Sequence, residues 1–172
     1  MNDWLALAPS ATVVHGTLGV HVSLNDMADR QPHSLADGPS LELGAKRVTW
    51  IDTPQLPHGW EAGLLFEATT ATLFAGDLFT IPGRVQPTSE DDIVTPALAG
   101  EDRFHPTALT ASTAPRIRGL AQLCVAPRTI ATMHGPAYTG DCSAALQALG
   151  DGYDARFRAS LRDDAVGSPR HA

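Results

Sequence analysis

Cysteine, basic residues and long apolar runs are all scarce in this sequence. Its 172 residues include only two cysteines, Cys124 and Cys142. They form no CxxC pair, so we expect neither a disulfide framework nor a zinc knuckle, but two reduced thiols in the cytoplasm. No run of about eighteen apolar residues occurs, so no membrane-spanning helix is predicted. Asp3 stands where a secretory signal peptide would carry Lys or Arg, so no such signal is expected.

The charge balance is acidic. Twelve Lys and Arg residues face 19 Asp and Glu residues, which gives a net charge of −7 at pH 7. An acidic surface repels nucleic-acid phosphates and anionic lipid headgroups, so neither class of partner is expected. With 43% hydrophobic and 18% charged residues, the composition excludes an intrinsically disordered chain. We expect one domain over residues 1–172, with a disordered tail at 167–172.

Several sequence signatures of enzymes are also missing. The chain contains no GxxxxGK[ST], GxGxxG, GxSxG or HExxH motif. A phosphate-binding loop, a dinucleotide site, an α/β-hydrolase nucleophile and a two-histidine zinc helix therefore lose support.

Hydrophobic periodicity and turn residues predict a mixed α/β (α+β) chain, with antiparallel hairpins in its middle and helices on both sides. Helices are predicted over residues 3–8, 91–100, 114–123 and from an N-cap at 141 to 149 or 161. Residues 18–28 fit helix or strand, with helix favoured. Strands are predicted over residues 11–14, 34–36, 41–43, 47–52, 62–67, 72–75 and 129–133. Turns are expected at 37–38, 44–45 and 69–70, and a loop at 80–89. This pattern favours a sheet packed under helices over a doubly wound parallel sheet.

Three of the predicted strands are each followed by an imidazole or a carboxylate beside Gly or Pro. His58 follows strand 47–52, Asp77 follows strand 72–75, and His134 follows strand 129–133. Loops at one edge of a sheet can hold such side chains rigidly. Histidine and aspartate are natural ligands of zinc and iron, so a metal site is predicted there. Each residue alone also fits an ordinary surface, core or turn position.

Other polar and aromatic residues near these positions receive weaker assignments. Glu61 fits an outer-shell partner that orients His58, or a solvated loop charge. Trp60 fits packing at the core or rim better than a platform for substrate. The remaining histidines lack a matching context and are expected to be structural or exposed: His15, His21, His33, His105 and His171.

Three segments resemble the second half of a metallo-β-lactamase-fold domain, most closely its diiron branch of flavodiiron and oxygen-binding diiron proteins. They are LELGAKRVTWIDTPQLPHGW, AGLLFEATTATLFAGDLFT and ATMHGPAY. The resemblance implies that His58 and His134 are metal ligands and that Asp77 bridges two metals as the catalytic carboxylate. The order of the three residues fits this family, and so do their separations of 19 and 57 residues.

One part of the family pattern has no counterpart. The family's first ligand cluster, His-x-[His/Glu]-x-Asp-His, is absent. The resemblance therefore implies a partial αββα sandwich that lacks its N-terminal strands. We expect weak or partial metal binding by this chain, and an unpaired sheet edge that favours a homodimer.

The functions implied by the resemblance depend on the metal. Two iron ions would bind or reduce oxygen or nitric oxide, with electrons from a donor protein. Two zinc ions would instead direct hydroxide onto an ester, lactone or thioester carbonyl. An inactive binding module is the third hypothesis. The sequence does not decide among them, or whether the chain is an enzyme.

Overall fold

The computed structural model describes residues 1–105 and 107–167, so most of the predicted tail lies outside the described residues. The helices are α1 Asn2–Leu7, α2 Thr17–Gly19, α3 Asn25–Met27, α4 Val94–Phe104, α5 Thr113–Gly119 and α6 Cys142–Gly167. A π-helical turn, Val20–Leu24, joins α2 to α3, and a 3₁₀ turn, Leu120–Gln122, extends α5. The strands are β1 Val14–Gly16, β2 His33–Leu35, β3 Ser40–Leu43, β4 Lys46–Asp52, β5 Gly63–Glu67, β6 Thr72–Gly76, β7 Thr88–Ser89, β8 Thr129–Thr132 and β9 Ala137–Tyr138.

A seven-stranded mixed sheet forms the centre of the fold, in the order β3-β4-β5-β6-β8-β9-β7. Strands β3 to β6 form an antiparallel meander, as the predicted hairpins require. After a crossover that contains α4 and α5, β8 pairs parallel to β6. Since β4 and β6 both run antiparallel to β5, strands β4, β6 and β8 point the same way. Their carboxyl ends therefore meet at one edge of the sheet.

One face of this sheet packs against the helices and forms the main core. The strand residues in this core include Leu64, Phe66, Leu73 and Ile130, and the helix residues include Ile117, Leu120, Leu146 and Leu149. Side chains alternate along β4, so Trp50 points to the opposite face, where the His15 ring of β1 packs against it at a tilt of 50°, with ring centroids 4.6 Å apart. The prediction of a sheet packed under helices is confirmed.

The hairpin predicted at Asp37-Gly38 is wrong. Strand β2 pairs in parallel with β1 in a separate two-stranded sheet and does not pair with β3. Asp37 Oδ1 accepts a hydrogen bond from the Asp52 amide at 3.0 Å, and the Gly38 amide donates to the Trp50 carbonyl at 3.0 Å. The turn is therefore tied to β4 and directs β3 away from β2.

Several element boundaries also differ from the prediction. The first strand lies at Val14–Gly16 instead of 11–14. Helix α4 begins at Val94 because Asp92 Oδ1 accepts the amide hydrogens of the first turn. The predicted cap of α6 is confirmed, since the Ala144 amide donates to Asp141 Oδ1 at 2.9 Å. That helix continues to Gly167, well past residue 149.

Candidate metal-binding site

The structure brings together the three side chains predicted at the carboxyl edge of the sheet. His58 Nε2 lies 2.8 Å from Asp77 Oδ2, and His134 Nε2 lies 3.5 Å from Asp77 Oδ1. The carboxylate thus stands between two imidazoles, with one oxygen facing each. We call these residues the His–Asp–His cluster.

The loop that carries His58 is held by hydrogen bonds at its base. Thr53 is fully buried at the end of β4, and its hydroxyl donates to the Leu56 carbonyl at 2.7 Å. The Gln55 amide donates to the Gly59 carbonyl at 2.7 Å, which closes the loop around His58. Both Gln55 and Gly59 have positive φ, at 66° and 84°, a conformation that glycine adopts without strain and glutamine does not. The main chain therefore fixes the position of His58.

The loops that carry Asp77 and His134 are joined to each other. The Met133 amide donates to the Gly76 carbonyl at 2.8 Å, and the Ile81 amide donates to the His134 carbonyl at 2.6 Å. The Thr80 hydroxyl donates to the Asp77 carbonyl at 2.7 Å and closes the turn after β6. Asp77 and His134 are consequently held as one unit, with His58 opposite.

The two oxygens of Asp77 are not equivalent. Oδ2 is hydrogen-bonded to His58, whereas Oδ1 is buried and has no hydrogen-bond partner among the described residues. Buried polar atoms are normally paired, so this oxygen is an acceptor that a bound cation or a water molecule would satisfy. The two histidine side chains are 57% and 62% exposed, so ions can reach them from solvent.

The spacing of the donor atoms can be tested against metal chemistry. Metal–ligand bonds of about 2.1 Å at about 90–109° place two ligand atoms about 3.0–3.4 Å apart. The separations of 2.8 and 3.5 Å lie close to that range. The residues present could therefore give each of two metals one imidazole nitrogen and one oxygen of the Asp77 carboxylate, which the two metals would share. However, no group of three or more His, Cys, Asp or Glu side chains arranged to hold one metal occurs in the part of the chain that the structure describes.

The structure places Glu61 and Trp60 outside the His–Asp–His cluster. No hydrogen bond joins Glu61 to His58, both of which the structure describes, and the Glu61 carboxylate lies against Gly59. Trp60 is 58% exposed, which fits a position at the rim and not in the core. The role of Glu61 as a partner of His58 stays a prediction.

The histidines expected to be structural or exposed lie away from the cluster where they are described. His21, His33 and His105 are exposed. His15 is half-buried and stacks on Trp50, and its Nδ1 atom lacks a hydrogen-bond partner among the described residues. His171 lies outside the described residues.

An open cavity of about 180 Å³ adjoins the cluster. Pro57, Phe79, Ala97, Gly100 and Phe104 supply most of its apolar wall. This volume is below the roughly 300–1,000 Å³ typical of sites for drug-sized ligands, but a second cavity of about 480 Å³ shares Thr80, Phe104 and His134 with it.

Two polar residues that the sequence analysis missed also line this cavity. Glu101 of α4 and Tyr153 of α6 line it, and the Tyr153 hydroxyl donates to Glu101 Oε2 at 2.8 Å. Burial, reinforced by the neighbouring Glu101 carboxylate, raises the pKa of Tyr153 well above its usual value. The sequence does carry a signal for Glu101, because it shares the helical spacing of Ala97, Gly100 and Phe104. A carboxylate on an otherwise apolar stripe of a helix is unusual, because charged side chains are rarely buried.

Comparison with solved structures identifies the architecture. The rubredoxin oxygen:oxidoreductase of Desulfovibrio gigas matches with a TM-score of 0.70 and 19% identity, over 88% of this chain and 40% of that chain. A diiron species of the chemotaxis sensor ODP from T. denticola matches with a TM-score of 0.68 and 21% identity, over 90% and 67% of the two chains. The flavodiiron protein of Giardia intestinalis gives 0.65 and 15%, over 88% and 38%. The chain has the metallo-β-lactamase fold.

The metallo-β-lactamase fold predicted from the three sequence segments is thus confirmed, and two of the three similar structures named above are diiron proteins. At these identities the likeness concerns the fold alone. The chain spans 38–67% of the length of those three proteins. No protein-family model and no curated protein matches the sequence.

None of the helices in residues 1–105 and 107–167 combines the length and the apolar character needed to cross a bilayer.

Proposed function

We propose that this chain contributes His58, Asp77 and His134 to a dinuclear iron site that binds or reduces oxygen or nitric oxide. The observation that carries the proposal is the Asp77 carboxylate between two imidazoles, with one buried oxygen unpartnered, beside a small cavity. The diiron proteins that share this fold support iron as the metal.

In this proposal, the three side chains divide the work between two metals. His58 would be a ligand of one metal, His134 a ligand of the other, and Asp77 a ligand shared by both. Iron bound there would supply the change of oxidation state that the binding or reduction of oxygen or nitric oxide requires. An electron-donor protein would provide the electrons for reduction, and a homodimer remains a further expected assembly.

Metal binding by this chain alone should be weak. A catalytic metal usually keeps three protein ligands, whereas one imidazole and a shared carboxylate supply fewer. Water or groups outside the described residues would fill the remaining positions. We therefore expect iron that exchanges readily and is lost on extensive dialysis.

A binding module without metal is the second candidate. It is favoured by the lack, among the described residues, of any group of three or more side chains arranged to hold one metal. The donor atoms also suit zinc, with which the site would hydrolyse an ester, lactone or thioester.

The first test measures metal affinity. Under anaerobic conditions, Fe²⁺ binding is titrated by competition with a chromogenic chelator for wild type, Asp77→Ala, His58→Ala and His134→Ala. We expect Asp77→Ala to weaken binding at both metals by at least tenfold, and each histidine variant to affect one metal. Asp91→Ala and His33→Ala remove an exposed carboxylate and an exposed imidazole elsewhere and should bind as wild type does.

The outcomes separate the candidates. Equal iron affinity in wild type and Asp77→Ala would contradict the proposal. A visible absorbance change when oxygen or nitric oxide meets the iron-loaded chain supports it. Turnover of a generic lactone or thioester with zinc alone supports the hydrolase instead. A chain that binds neither iron nor zinc supports the third hypothesis, a binding module without metal.

A further inference from the structure

Each of the three loops that carry the His–Asp–His cluster is closed by the hydroxyl of a threonine. In the His58 loop, the Thr53 hydroxyl donates to the carbonyl three residues later at 2.7 Å. In the turn after β6, the Thr80 hydroxyl donates to the carbonyl of the ligand residue itself, three residues earlier, also at 2.7 Å. In the His134 loop, the Thr132 hydroxyl donates to the carbonyl four residues later at 3.2 Å. We call Thr53, Thr80 and Thr132 the loop threonines.

Thr53 holds the base of the His58 loop through several bonds. Its amide donates to the Ala62 carbonyl at 2.9 Å, and its carbonyl accepts the Leu56 amide at 2.8 Å. Leu56, whose carbonyl accepts the Thr53 hydroxyl, is 1% exposed, so loss of that hydroxyl would leave a buried acceptor without its donor. The His58 side chain is 57% exposed, so burial does little to fix it. Its position therefore depends on the loop.

Thr132 lies beneath the turn that carries His134. Its hydroxyl oxygen is 3.0 Å from the position that a Cβ atom at Gly135 would take. Gly135 has a φ of 149°, which lets the chain turn closely over the hydroxyl. The bond to the Pro136 carbonyl closes the turn. The Thr132 hydroxyl thus supports the main chain on which the exposed His134 imidazole stands.

Thr80 connects the loop of Asp77 to the loop of His134. Its amide and its hydroxyl both donate to the Asp77 carbonyl, at 3.1 and 2.7 Å. The amide of the next residue, Ile81, donates to the His134 carbonyl at 2.6 Å. The turn that orients Asp77 therefore ends where the link to the His134 loop begins, and a change at Thr80 should affect both loops.

We propose that the loop threonines are positioning residues, which hold the two imidazoles against the Asp77 carboxylate before a metal binds. Threonine is common in strands because of its β-branched shape, but that preference does not require a hydroxyl bonded to a loop carbonyl. A metal that receives few protein ligands depends strongly on their being ordered in advance, because ordering mobile loops costs affinity. The inference rests on the proposed function only for the metal that the cluster binds.

Exchange of threonine for valine or serine separates the hydroxyl from the shape of the side chain. Valine keeps the β-branched shape and removes the donor, whereas serine keeps the donor and loses the methyl group. Thr113→Val is the matched control for stability. Thr113 is also buried, at 5% exposed, and its hydroxyl accepts the Thr110 amide at 3.0 Å, but it lies in α5, which carries no member of the cluster.

The first experiment uses the chain without metal and observes the imidazoles directly. Nuclear magnetic resonance at a fixed pH of 8 measures the ¹⁵N chemical shifts of the assigned histidine rings. The His58 ring should differ from that of the exposed His33, because His58 Nε2 lies 2.8 Å from Asp77 Oδ2. Thr53→Val should move the His58 signals toward those of His33, and Thr53→Ser should keep the wild-type signals.

The same spectra test whether the effect is confined to one loop. Thr53→Val should leave the His134 ring signals unchanged, and Thr132→Val should change them without moving those of His58. Thr113→Val should move neither ring. If the ring signals stay as in wild type in both Thr53→Val and Thr132→Val, the inference is overturned, whatever metal the protein binds.

The second experiment repeats the anaerobic Fe²⁺ titration with the valine and serine variants. Thr53→Val and Thr132→Val should each weaken binding at one metal by about tenfold, and Thr80→Val should weaken binding at both. The serine variants should recover most of the affinity. Thr113→Val should lower the urea midpoint but bind iron as wild type does.

The outcomes distinguish positioning from general stability. Wild-type affinity in all three valine variants of the loop threonines would overturn the inference. An equal loss of affinity in Thr113→Val would also overturn it, because any loss of stability would then have the same effect. If wild type binds no iron, the proposed function fails, and the ring spectra of the chain without metal still decide whether the hydroxyls position the cluster.

Discussion

Three carboxylates of this chain differ in how their oxygens are satisfied. Glu67 and Glu101 are buried, and each accepts several hydrogen bonds from nearby threonine or tyrosine groups. Asp77 is more exposed, yet one of its oxygens is buried without a partner. Among the described residues, this unsatisfied oxygen beside two imidazoles is the observation that supports the proposed role of Asp77 as a metal ligand.

At the scale of single residues, the lowered pKa of Glu67 predicts how the stability of the fold changes in acid. The Thr70 hydroxyl, followed by donors of Thr69, holds the pKa of Glu67 well below its usual 4.5. The stability that Glu67 contributes is therefore complete above pH 4.5 and is lost as the pH falls below it. The urea midpoint of wild type should exceed that of Glu67→Gln at pH 7, and the difference should shrink by pH 3. A difference that is constant from pH 7 to pH 3 would refute the assignment.

At the scale of elements, the sheet and the short N-terminal strands meet around one indole ring. Trp50 of β4 lies against Gly16 of β1 and Gly63 of β5, and its Nε1 donates to Asp52 Oδ1 at 2.6 Å. A Cβ atom at either glycine would overlap the ring. Both positions therefore need glycine for space and not for backbone conformation.

Gly63→Ala tests this packing. Overpacking of this kind typically costs about 1–3 kcal/mol in the free energy of unfolding. Gly63 also begins the strand after the His58 loop, so the variant should bind iron more weakly. Chemical denaturation measures the loss, and the second change Trp50→Phe should recover part of it. Gly119→Ala, in helix α5 with open space around it, is the control and should leave stability unchanged or slightly raised. Equal effects of the two alanines would exclude the steric explanation.

The elements also show where sequence reasoning succeeds. The hairpins of β3 to β6 follow from local turns, and the proximity of His58, Asp77 and His134 follows because each comes after one of three strands that run the same way. The parallel pairing of β1 with β2 and the contact between Glu101 and Tyr153 join distant segments. Neither contact produces a local pattern in the sequence, because both depend on how helices and strands pack on the complete sheet.

At the scale of the whole molecule, the central sheet and helices α4, α5 and α6 share one core. We therefore expect one cooperative unfolding transition. Trp50 is buried, whereas Trp4 and Trp60 are exposed, so the double variant Trp4→Phe/Trp60→Phe makes fluorescence report on Trp50 alone. Its urea transition should coincide with that of the helices, followed by far-ultraviolet circular dichroism. Separate midpoints would show that the sheet and the helices unfold independently.

The parallel pairing of β6 with β8 has a consequence for the time at which the cluster forms during protein synthesis. Thr72 pairs with Thr129, so β8 joins the sheet only after both crossover helices have left the ribosome. Until then a nascent chain displays His58 and Asp77 without His134. At the proposed site, a metal ion that arrives early would meet two of the three side chains of the cluster, and binding by both imidazoles would wait until the segment that carries His134 has been translated.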